Sequence, residues 1–410
     1  MGRKLRAMDI DEQMALLMQG TEYGDENLER SMRSELRALL LEERPLRVYC
    51  GYDPTSTDLH LGHTISMRKL RQFQEFGHEV TFLIGNYTAL VGDPSDKNRA
   101  RPMLAEDEIE QNAQTYAGQA FRILDPEHTQ IRYNGEWLAK LPLAKLIILA
   151  QNFTVQQFLA RDNFSIRLEK KEPIYIHETL YALMQGYDAV AIDADVQVGG
   201  TDQLFNIVVA GRKLQQSMGQ KPQVGVVLGI LPGTDGKQRM SKTTGNHIPI
   251  ATTPDDMYGK IMSIPDDAMG AYWRLVTRYS PERVQEIESK LDRGELHQRE
   301  AKMELAGEIT AIFWGSNDSN NAADNFRQVF RDGSNPAQMQ ETLVHQGDGI
   351  VDIIVKCGFA TSRSDARRLI KQGGVRLEGE KVSDENAEIV LGGDAVLQVG
   401  RRRFARLRPV

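Results

Sequence analysis

The chain has 410 residues, of which 40% are hydrophobic, and a formal net charge of -7. This length can supply two to four domains of ordinary size, each with its own core. No stretch approaches the roughly 18 consecutive apolar residues that a membrane span requires, and acidic residues interrupt the N-terminus where a secretory signal would be apolar. The two distant cysteines, Cys50 and Cys357, argue against a disulfide scaffold or a zinc framework. We therefore expect a cytoplasmic protein with no membrane association.

Charge is unevenly distributed along the chain. Residues 350–410 carry 12 Lys and Arg against 8 Asp and Glu, a net charge of +4, which leaves -11 for residues 1–349. A basic module on an acidic body fits local contact with RNA better than binding over the whole surface.

The first part of the chain predicts helices followed by a strand, a helix and a second strand. Residues 9–43 place apolar side chains at helical spacing. Leu46–Tyr52 and Glu79–Ile84 have the apolar character of strands and flank an amphipathic helical segment. Such a unit is expected to be parallel and right-handed, which predicts the start of a doubly wound nucleotide-binding sheet.

The middle of the chain is mostly helical in pattern from about residue 106 to residue 162. Its apolar run Leu141–Leu149 fits either a core or a dimer surface. Ile192–Val198 and Val224–Leu231 predict further strands, and residues 254–330 predict a long helical region.

These elements predict an α/β fold with three domains. A doubly wound, parallel, Rossmann-like sheet with a helical insertion is followed by an all-helical domain and a small α+β domain. The predicted boundaries are 1–235 for the sheet domain, with its insertion at about 106–190, 236–335 for a basic loop and the helical domain, and 345–410 for the small basic domain.

The motif HLGH lies between the first predicted strand and its helix. Backbone N–H groups and the helix dipole favour an anion such as phosphate there, and His60 and His63 add hydrogen-bond donors. Gly62 would let a nucleotide approach the backbone closely. Taken alone, the two histidines could equally be packing or surface residues or a metal pair, although no third ligand lies at a suggestive spacing.

A second motif, KQRMSKTTG, places Arg239 and Lys242 three residues apart beyond the last predicted strand. Alone it could be a solvated basic loop. Together, HLGH and RMSKT resemble the paired HIGH and KMSKS signatures of class I aminoacyl-tRNA synthetases, with Arg239 in place of the first lysine. Arginine keeps the charge but replaces a point charge by a planar fork, so Lys242 is the stronger candidate for phosphate contact.

Further motifs resemble those of tyrosyl-tRNA synthetases in order and spacing: YCGYDPTSTDLHLGH, GDPS at 92–95, YALMQGYD at 181–188 and GGTDQ at 199–203. The resemblance covers nearly the whole chain. An α-ammonium group requires a carboxylate, and a buried phenol requires an acceptor and a polar neighbour. The resemblance implies that Tyr49 and Asp188 hold the phenolic hydroxyl, that Asp93, Tyr181 and Gln185 surround the α-ammonium, that Gln203 lies near the carboxylate, and that Asp53, Thr55, His60, His63, Gly200, Asp202 and Lys242 contact ATP.

The C-terminal segment ATSRSDARRLIKQGGVRLEG resembles the RNA-binding module named after ribosomal small-subunit protein four. Basic residues recur every four positions on one face of a predicted helix, opposite the packing positions Ala366, Leu369 and Ile370. That arrangement suits an RNA backbone, although a solvated helix has the same pattern. The candidate RNA contacts are Arg363, Arg367, Arg368 and Lys371.

The resemblance also implies a reaction. The tyrosine carboxylate attacks the α-phosphate of ATP, giving tyrosyl-adenylate and pyrophosphate, and the terminal ribose of tRNA(Tyr) then takes the tyrosyl group. Catalysis is expected from positioning and charge stabilisation by His60, His63, Lys242 and Arg239, with Mg²⁺ accompanying ATP and with no protein-bound metal or organic cofactor. A homodimer formed through the helical insertion is implied as well.

Three alternatives remain at this point. A tryptophanyl-tRNA synthetase shares the fold and both signatures, but the pair Tyr49 and Asp188 favours a phenol over an indole. A small nucleotidyltransferase uses HxGH, but it would explain neither RMSKT nor the basic tail. A non-catalytic RNA-binding protein on a synthetase scaffold is disfavoured, because every matched position holds a chemically competent residue.

Overall fold

The computed structural model describes residues 8–54, 59–95, 106–331, 339–400 and 403–410. Thr55, one of the predicted ATP contacts, lies outside the described residues. The chain divides into two compact units, one formed by residues 1–251 and 264–301 and the other by residues 252–263 and 302–410. The three domain boundaries expected from the sequence stay predictions.

Helices occur along the whole chain between and after the strands. In chain order they are α1 (Ile10–Met18), α2 (Glu26–Leu40), α3 (Leu61–Glu75), α4 (Thr88–Val91), α5 (Glu106–Ala120), α6 (Gly135–Leu138), α7 (Leu143–Ala150), α8 (Val155–Leu159), α9 (Asp162–Glu169), α10 (Ile176–Ile192), α11 (Arg212–Ser217), α12 (Pro254–Met262), α13 (Met269–Val276), α14 (Pro281–Asp292), α15 (Gln298–Arg331), α16 (Ile350–Lys356) and α17 (Arg363–Lys371). Short 3₁₀ turns at Pro126–His128, Thr201–Gln203 and Asp266–Ala268 and a π-helical turn at Phe205–Gly211 complete the set. No helix in the described ranges has the length and apolar character needed to cross a membrane.

A five-stranded parallel sheet forms the centre of the first unit. Its strands are β1 (Arg47–Tyr52), β2 (Glu79–Ile84), β3 (Thr129–Tyr133), β4 (Val196–Gly200) and β5 (Val224–Leu228), in the spatial order β3-β2-β1-β4-β5. All neighbouring strands pair in parallel, as predicted. The direction of the winding reverses between β1 and β4, and doubly wound sheets bind ligands at the carboxyl ends of the strands at such a reversal.

Burial explains why some of these strands could be recognised in the sequence. β5 is buried at every position, and the valines of β4 are buried as well, which is the continuous apolar pattern of a parallel strand covered on both faces. β3 lies at the edge of the sheet and is only partly buried. Its sequence, TQIRY, therefore lacks the continuous apolar run of the buried strands, and the expectation of a mostly helical region at 106–162 did not include this strand.

One predicted strand is wrong in its first half. Ile192–Val198 contains the end of α10, which continues to Ile192, and the strand begins only at Val196. Asp193 ends the helix in the left-handed conformation, with φ 53°. The apolar residues at the end of α10 continue into β4 with only a short turn between them, so hydrophobicity alone did not separate helix from strand.

The second unit contains α12, most of α15 and a small α+β domain. α15 is interrupted at Gly315, whose φ of 82° is left-handed. The small domain has strands β6 (Gln340–Val344), β7 (Asp348–Gly349), β8 (Val375–Leu377), β9 (Glu380–Lys381), β10 (Glu388–Ile389), β11 (Ala395–Val399) and β12 (Arg403–Pro409), and its main mixed sheet has the order β6-β12-β11-β8-β9. Ile354, Ile370 and Leu397 belong to its buried core. The predicted fold class is confirmed.

Candidate active site

A cleft with a cavity volume of about 240 Å³ lies at the carboxyl ends of the sheet strands. Most of the predicted site residues line it, although they are distant in the sequence. Those residues are Asp53, His60, His63, Asp93, Tyr181, Gln185, Asp188, Gly200, Asp202, Gln203 and Arg239. Tyr49 is fully buried in a cluster that includes Leu83 and Ala189. Lys242 lies on the loop formed by residues 237–250, the signature loop.

The buried carboxyl group of Asp188 lines one end of the cleft, and the buried phenol of Tyr49 lies close enough to it for their charges to interact. Asp188, on α10, accepts hydrogen bonds from Trp137 Nε1 at 2.8 Å and Asn134 Nδ2 at 3.3 Å. Burial raises the pKa of Asp188 to about 8. Tyr49 is 0% exposed, and its hydroxyl has no hydrogen-bond partner among the described residues. Because burial and the nearby Asp188 raise the pKa of Tyr49 well above its usual value, this hydroxyl stays protonated and is an unused donor.

Asn134 and Trp137 were not predicted from the sequence. Asn134 follows β3, and its backbone N–H donates to Ile84 O at 3.1 Å, which fixes it at the carboxyl end of β2. Its amide also donates to Thr88 Oγ1 at 2.9 Å. Because β3 was not predicted, the two donors that follow it and orient Asp188 were not predicted either.

A second set of hydrogen bonds joins a residue predicted to contact ATP to a residue predicted to contact the α-ammonium of tyrosine. Asp53 accepts from Thr88 Oγ1 at 2.7 Å and from the hydroxyl of Tyr181 at 2.9 Å. A Cβ atom at Gly85 would collide with the Asp53 carboxylate, so glycine is required for this approach. Tyr181, expected at the α-ammonium, is thus oriented by Asp53, expected at ATP.

Asn206 contacts two of the predicted residues, Gln185 and Gln203, and also Ser95. Its Nδ2 lies 3.0 Å from Gln185 Oε1, 2.9 Å from Gln203 Oε1 and 3.1 Å from Ser95 Oγ. Gln203 Nε2 donates to Asp93 Oδ2 at 2.6 Å, and the Ser95 N–H donates to Asp93 Oδ1 at 2.9 Å. Asn206 lies in the π-helical turn, a distortion that often marks functional sites. Its position three residues after GGTDQ is the only sequence signal for it.

The HLGH motif forms the start of α3. His60 is the N-cap residue, and its Nδ1 accepts from the Gly62 N–H at 3.2 Å, while His63 Nδ1 accepts from the His60 N–H at 3.2 Å. The two rings lie 3.9 Å apart. Because both Nδ1 atoms accept, each neutral ring carries its proton on Nε2.

Both histidines are held in the neutral form. Burial lowers the pKa of His60 to about 2, with further lowering from His63, His247, Arg239 and Lys242. Burial lowers the pKa of His63 to about 4, and Arg239 and Lys242 act in the same direction. The motif therefore offers neutral N–H donors rather than positive charges at neutral pH.

The two signature motifs meet in the structure. Leu61 N donates to Ile248 O at 3.0 Å, and Ile250 N donates to Leu59 O at 3.1 Å, so the end of the signature loop pairs with the chain on both sides of His60. Asn246 holds the loop, with its Oδ1 accepting from Ser241 N at 2.8 Å. These backbone bonds place the loop next to the start of α3.

Arg239 makes an ion pair within the cleft. Its Nη1 lies 3.1 Å from Asp202 Oδ2, and its side chain is 46% exposed. Asp202, one of the predicted contacts of ATP, thus forms an ion pair with a residue of the signature loop. An exposed pair of this kind contributes little to stability and can be exchanged for a ligand.

Among the described residues, one group of potential metal ligands has its ligand atoms within 4.8 Å of one another: Asp125, Glu127 and His128. These residues lie in the turn before β3 and do not line the cleft.

The basic helix α17 has the two faces that were predicted. Ala366 and Ile370 are buried, and Leu369 packs against the same core. The four candidate RNA contacts are exposed, and three of them form ion pairs: Arg363 with Asp352 at 2.5 Å, Arg368 with Asp365 at 2.6 Å and Lys371 with Glu385 at 3.0 Å. An RNA phosphate would have to compete with these carboxylates.

Two protein families match the sequence of this chain. The family described as "tRNA synthetases class I (W and Y)" matches residues 41–331, and the S4 domain family matches residues 349–396. In solved structures, the fold resembles tyrosyl-tRNA synthetase from Archaeoglobus fulgidus complexed with L-tyrosine (TM-score 0.60, 22% identity, 77% of this chain and 100% of that one). It also resembles a C-terminally truncated mitochondrial tyrosyl-tRNA synthetase from Aspergillus nidulans (TM-score 0.61, 22% identity, 78% and 93%).

Curated relatives narrow the family further. The tyrosine-tRNA ligase of Thermotoga maritima is 46% identical over 91% of this chain and 93% of its own length. That of Moorella thermoacetica is 47% identical over 92% of both chains, and that of Oleidesulfovibrio alaskensis is 45% identical over 98% and 99%. The family expected from the motifs is confirmed: the chain belongs to the class I aminoacyl-tRNA synthetases and, within them, to the tyrosine-tRNA ligases.

Proposed function

We propose that this tyrosine-tRNA ligase binds tyrosine and ATP side by side in the cleft of its parallel sheet and uses the residues described above for recognition and catalysis. The observation that carries the proposal is the pair at the closed end of the cleft. There, the unpartnered hydroxyl of Tyr49 and the buried carboxyl of Asp188 offer one donor and one acceptor. A phenolic hydroxyl needs both.

Recognition of the phenol follows from burial. Tyr49 donates a hydrogen bond to the phenolic oxygen, and Asp188 accepts a hydrogen bond from the phenolic O–H, while Trp137 and Asn134 keep the carboxyl in place. Phenylalanine would leave the buried hydroxyl of Tyr49 without a partner and would not make the bond that Asp188 accepts from the phenol, which is a large penalty in a site closed to water. Discrimination is thus achieved in the binding step, and no editing step is required.

The amino-acid backbone binds between two motifs. Asp93 supplies the negative charge for the α-ammonium, with Tyr181 and Gln185 as neutral neighbours, and Gln203 lies next to the α-carboxylate. The bonds through Asn206 fix the amide orientations before substrate arrives, because its Nδ2 requires a carbonyl oxygen from each glutamine. Such preorganisation brings the carboxylate toward the α-phosphate in a reactive orientation.

The nucleotide binds where the two signatures meet. Asp53, Gly200 and Asp202 face the nucleoside, and Arg239 leaves Asp202 when the ribose binds. His60 and His63 donate through Nε2 to phosphate oxygens, as neutral groups rather than cations. The carboxylate oxygen forms a bond to the α-phosphorus, the bond from that phosphorus to the bridging oxygen breaks, and the electron pair leaves with pyrophosphate, whose charge Arg239 and Lys242 stabilise.

ATP is the nucleotide substrate, and we propose Mg²⁺ as its counter-ion, with no other cofactor. When bound, Mg²⁺ neutralises charge on the phosphates. The carboxylates of the cleft fit a hydrated divalent ion held through the nucleotide, since oxygen ligands are those that Mg²⁺ prefers.

We further propose that the chain acts as a cytoplasmic homodimer. The helical insertion exposes large apolar side chains, including Leu143 at 72%, Val155 at 70% and Ile176 at 83%. Exposed apolar groups concentrated in one region are typical of a surface that is covered by a partner. The basic face of α17 is proposed to contact the backbone of tRNA(Tyr).

A chase experiment tests both half-reactions. The enzyme is incubated with labelled tyrosine, ATP and pyrophosphatase, and the protein is separated by gel filtration. We expect label to remain with the protein as tyrosyl-adenylate and to move to tRNA(Tyr) when the RNA is added. Absence of bound label would contradict the proposed activation step, and bound label that cannot be chased would contradict the transfer step.

A further inference from the structure

Arg161 is a buried arginine next to the amino-acid end of the cleft that none of the proposed roles includes. It is 8% exposed, and its guanidinium carbon lies 4.7 Å from the ring centre of Phe205. Its Nη2 donates to Ser95 Oγ at 2.9 Å, whereas Nη1 is buried with no hydrogen-bond partner among the described residues. Burying a cation with an unmet donor is costly, which indicates a specific requirement for arginine at this position.

Arg161 acts together with Asn163 on the motif that carries Asp93. Arg161 is the N-cap residue of α9, and Asn163 lies in its first turn. Asn163 Nδ2 donates to Pro94 O at 2.9 Å, and Arg161 holds Ser95, whose backbone N–H in turn donates to Asp93 Oδ1. The start of α9 therefore fixes the two residues that follow Asp93.

The charge of Arg161 also reaches this carboxylate. Burial lowers the pKa of the Arg161 guanidinium, and the negative charge of Asp93 opposes that effect. Ser95 Oγ is shared, because it also accepts from Asn206. Arg161 thus belongs to the same connected set of bonds as Gln185 and Gln203.

We propose that Arg161 and Asn163 form a clamp, provided by the helical insertion, that positions Asp93 to bind the α-ammonium of the amino acid. The inference rests on the proposed role of Asp93. In this arrangement both are positioning residues: they act through the Asp93-Pro94-Ser95 backbone and do not contact the substrate.

Ligands that lack one of the two charged groups of tyrosine distinguish a clamp on Asp93 from other roles of Arg161. Tyramine has the ammonium but no carboxylate, and 3-(4-hydroxyphenyl)propionate has the carboxylate but no ammonium. Equilibrium binding of both, and of tyrosine, is measured by calorimetry for wild type and for the variants Arg161→Met, Arg161→Lys and Asn163→Ala. The KM for ATP and the melting temperature are recorded for each variant. Arg167→Lys is the matched control, because Arg167 is a buried arginine of the same helix that donates to Glu178 instead.

We expect Arg161→Met to weaken the binding of tyrosine and of tyramine on the order of tenfold each. The affinity for the propionate and the KM for ATP should stay unchanged to within about twofold. Arg161→Lys should recover part of the loss, and Asn163→Ala should show a smaller loss with the same ligand pattern. Arg167→Lys should change the affinity for all three ligands by less than about twofold.

Three results would overturn the clamp. Loss of tyrosine and propionate binding without loss of tyramine binding would place Arg161 at the substrate carboxylate. Equal losses for all ligands and for ATP, in step with the melting temperature, would reduce it to a general structural role. Asp93→Asn is the third test: unchanged tyramine binding in that variant would remove the proposed role of Asp93 itself, whereas loss in Asp93→Asn but not in Arg161→Met would overturn the clamp alone.

Discussion

The two ends of the cleft differ in how their polar groups are held. At the amino-acid end, Asp188 and Asn206 are buried and their partners lie on helices and strand ends packed on the sheet. At the nucleotide end, Arg239 extends from a loop, and its side chain, which is 46% exposed, forms an ion pair with Asp202. A group fixed by burial can distinguish substrates that differ by one hydroxyl, while a group on a loop can follow charge that moves during the reaction. We therefore propose that the first end determines substrate selectivity and the second end the reaction rate.

The largest effect of a substitution on activity is expected at the amino-acid end. Asp188→Ala should lower kcat/KM for tyrosine roughly 1,000-fold, because it removes the acceptor of the phenol and leaves buried donors unpaired. The KM for ATP should stay nearly constant. Pyrophosphate exchange with each substrate varied in turn measures both values, and Glu169→Ala, at an exposed position of α9, serves as the control. Equal losses for tyrosine and ATP would remove the distinction between the two ends.

A smaller effect, on rate alone, is expected from the histidines. His63→Ala should lower the rate of adenylate formation about 100-fold with little change in tyrosine affinity. Because the pKa values of His60 and His63 are about 2 and 4, both rings are neutral throughout pH 6–8, and the rate should show no histidine titration there. His63→Gln, which keeps a neutral N–H donor, should retain more activity than His63→Lys. Stopped-flow rates between pH 6 and 8 test this; a rate that rises as pH falls through about 6.5 would indicate a protonated histidine.

Tyr49→Phe should act oppositely on stability and on catalysis. Removing an unpaired buried hydroxyl should leave the free enzyme as stable as before or more stable by about 1 kcal/mol, while kcat/KM for tyrosine falls about tenfold. Tyr52→Phe is the contrasting variant, because Tyr52 bonds to Ser66 at 2.8 Å and its loss should reduce stability. Denaturant unfolding and exchange kinetics measure the two quantities. A destabilised Tyr49→Phe enzyme would mean that its hydroxyl already has a partner in the free protein.

The smallest effect is expected from Arg239→Lys. The substitution keeps the charge, so the rate of adenylate formation should change by about threefold or less, and Arg239→Ala should lose more. Neither variant should change the free energy of unfolding by more than about 1 kcal/mol, because the pair with Asp202 is exposed. Unfolding curves and single-turnover rates check both points. A strongly destabilised Arg239→Ala protein would show that the loop is a structural part of the cleft.

The sequence predicted those parts of the site that lie in short contiguous motifs. HLGH, GDPS and GGTDQ each combine a turn with its polar residues, so their chemistry is visible without the fold. Asn134 and Trp137 follow an edge strand that is only partly buried and lacks a continuous apolar run, and their contacts with Asp188 could not be predicted until that strand was placed. Arg161 lies in none of the quoted motifs, and only its burial and its bond to Ser95 distinguish it from a surface arginine.

The protonation state of the histidines was also beyond the sequence. His60 and His63 were expected to contribute to charge stabilisation, but their pKa values depend on burial and on two cations from a loop far along the chain. The paired signatures predicted that this loop belongs to the site. They did not predict that its backbone pairs with the chain around His60, and that pairing is what brings the charges close.

The most direct test of tyrosine selection by Tyr49 and Asp188 is amino-acid-dependent exchange of labelled pyrophosphate into ATP, with each of the twenty amino acids supplied separately and without RNA. We predict exchange with tyrosine and none above background with phenylalanine or tryptophan. Exchange with tryptophan in place of tyrosine would contradict the assignment of the phenol site, and absence of exchange with every amino acid would contradict activation in this cleft.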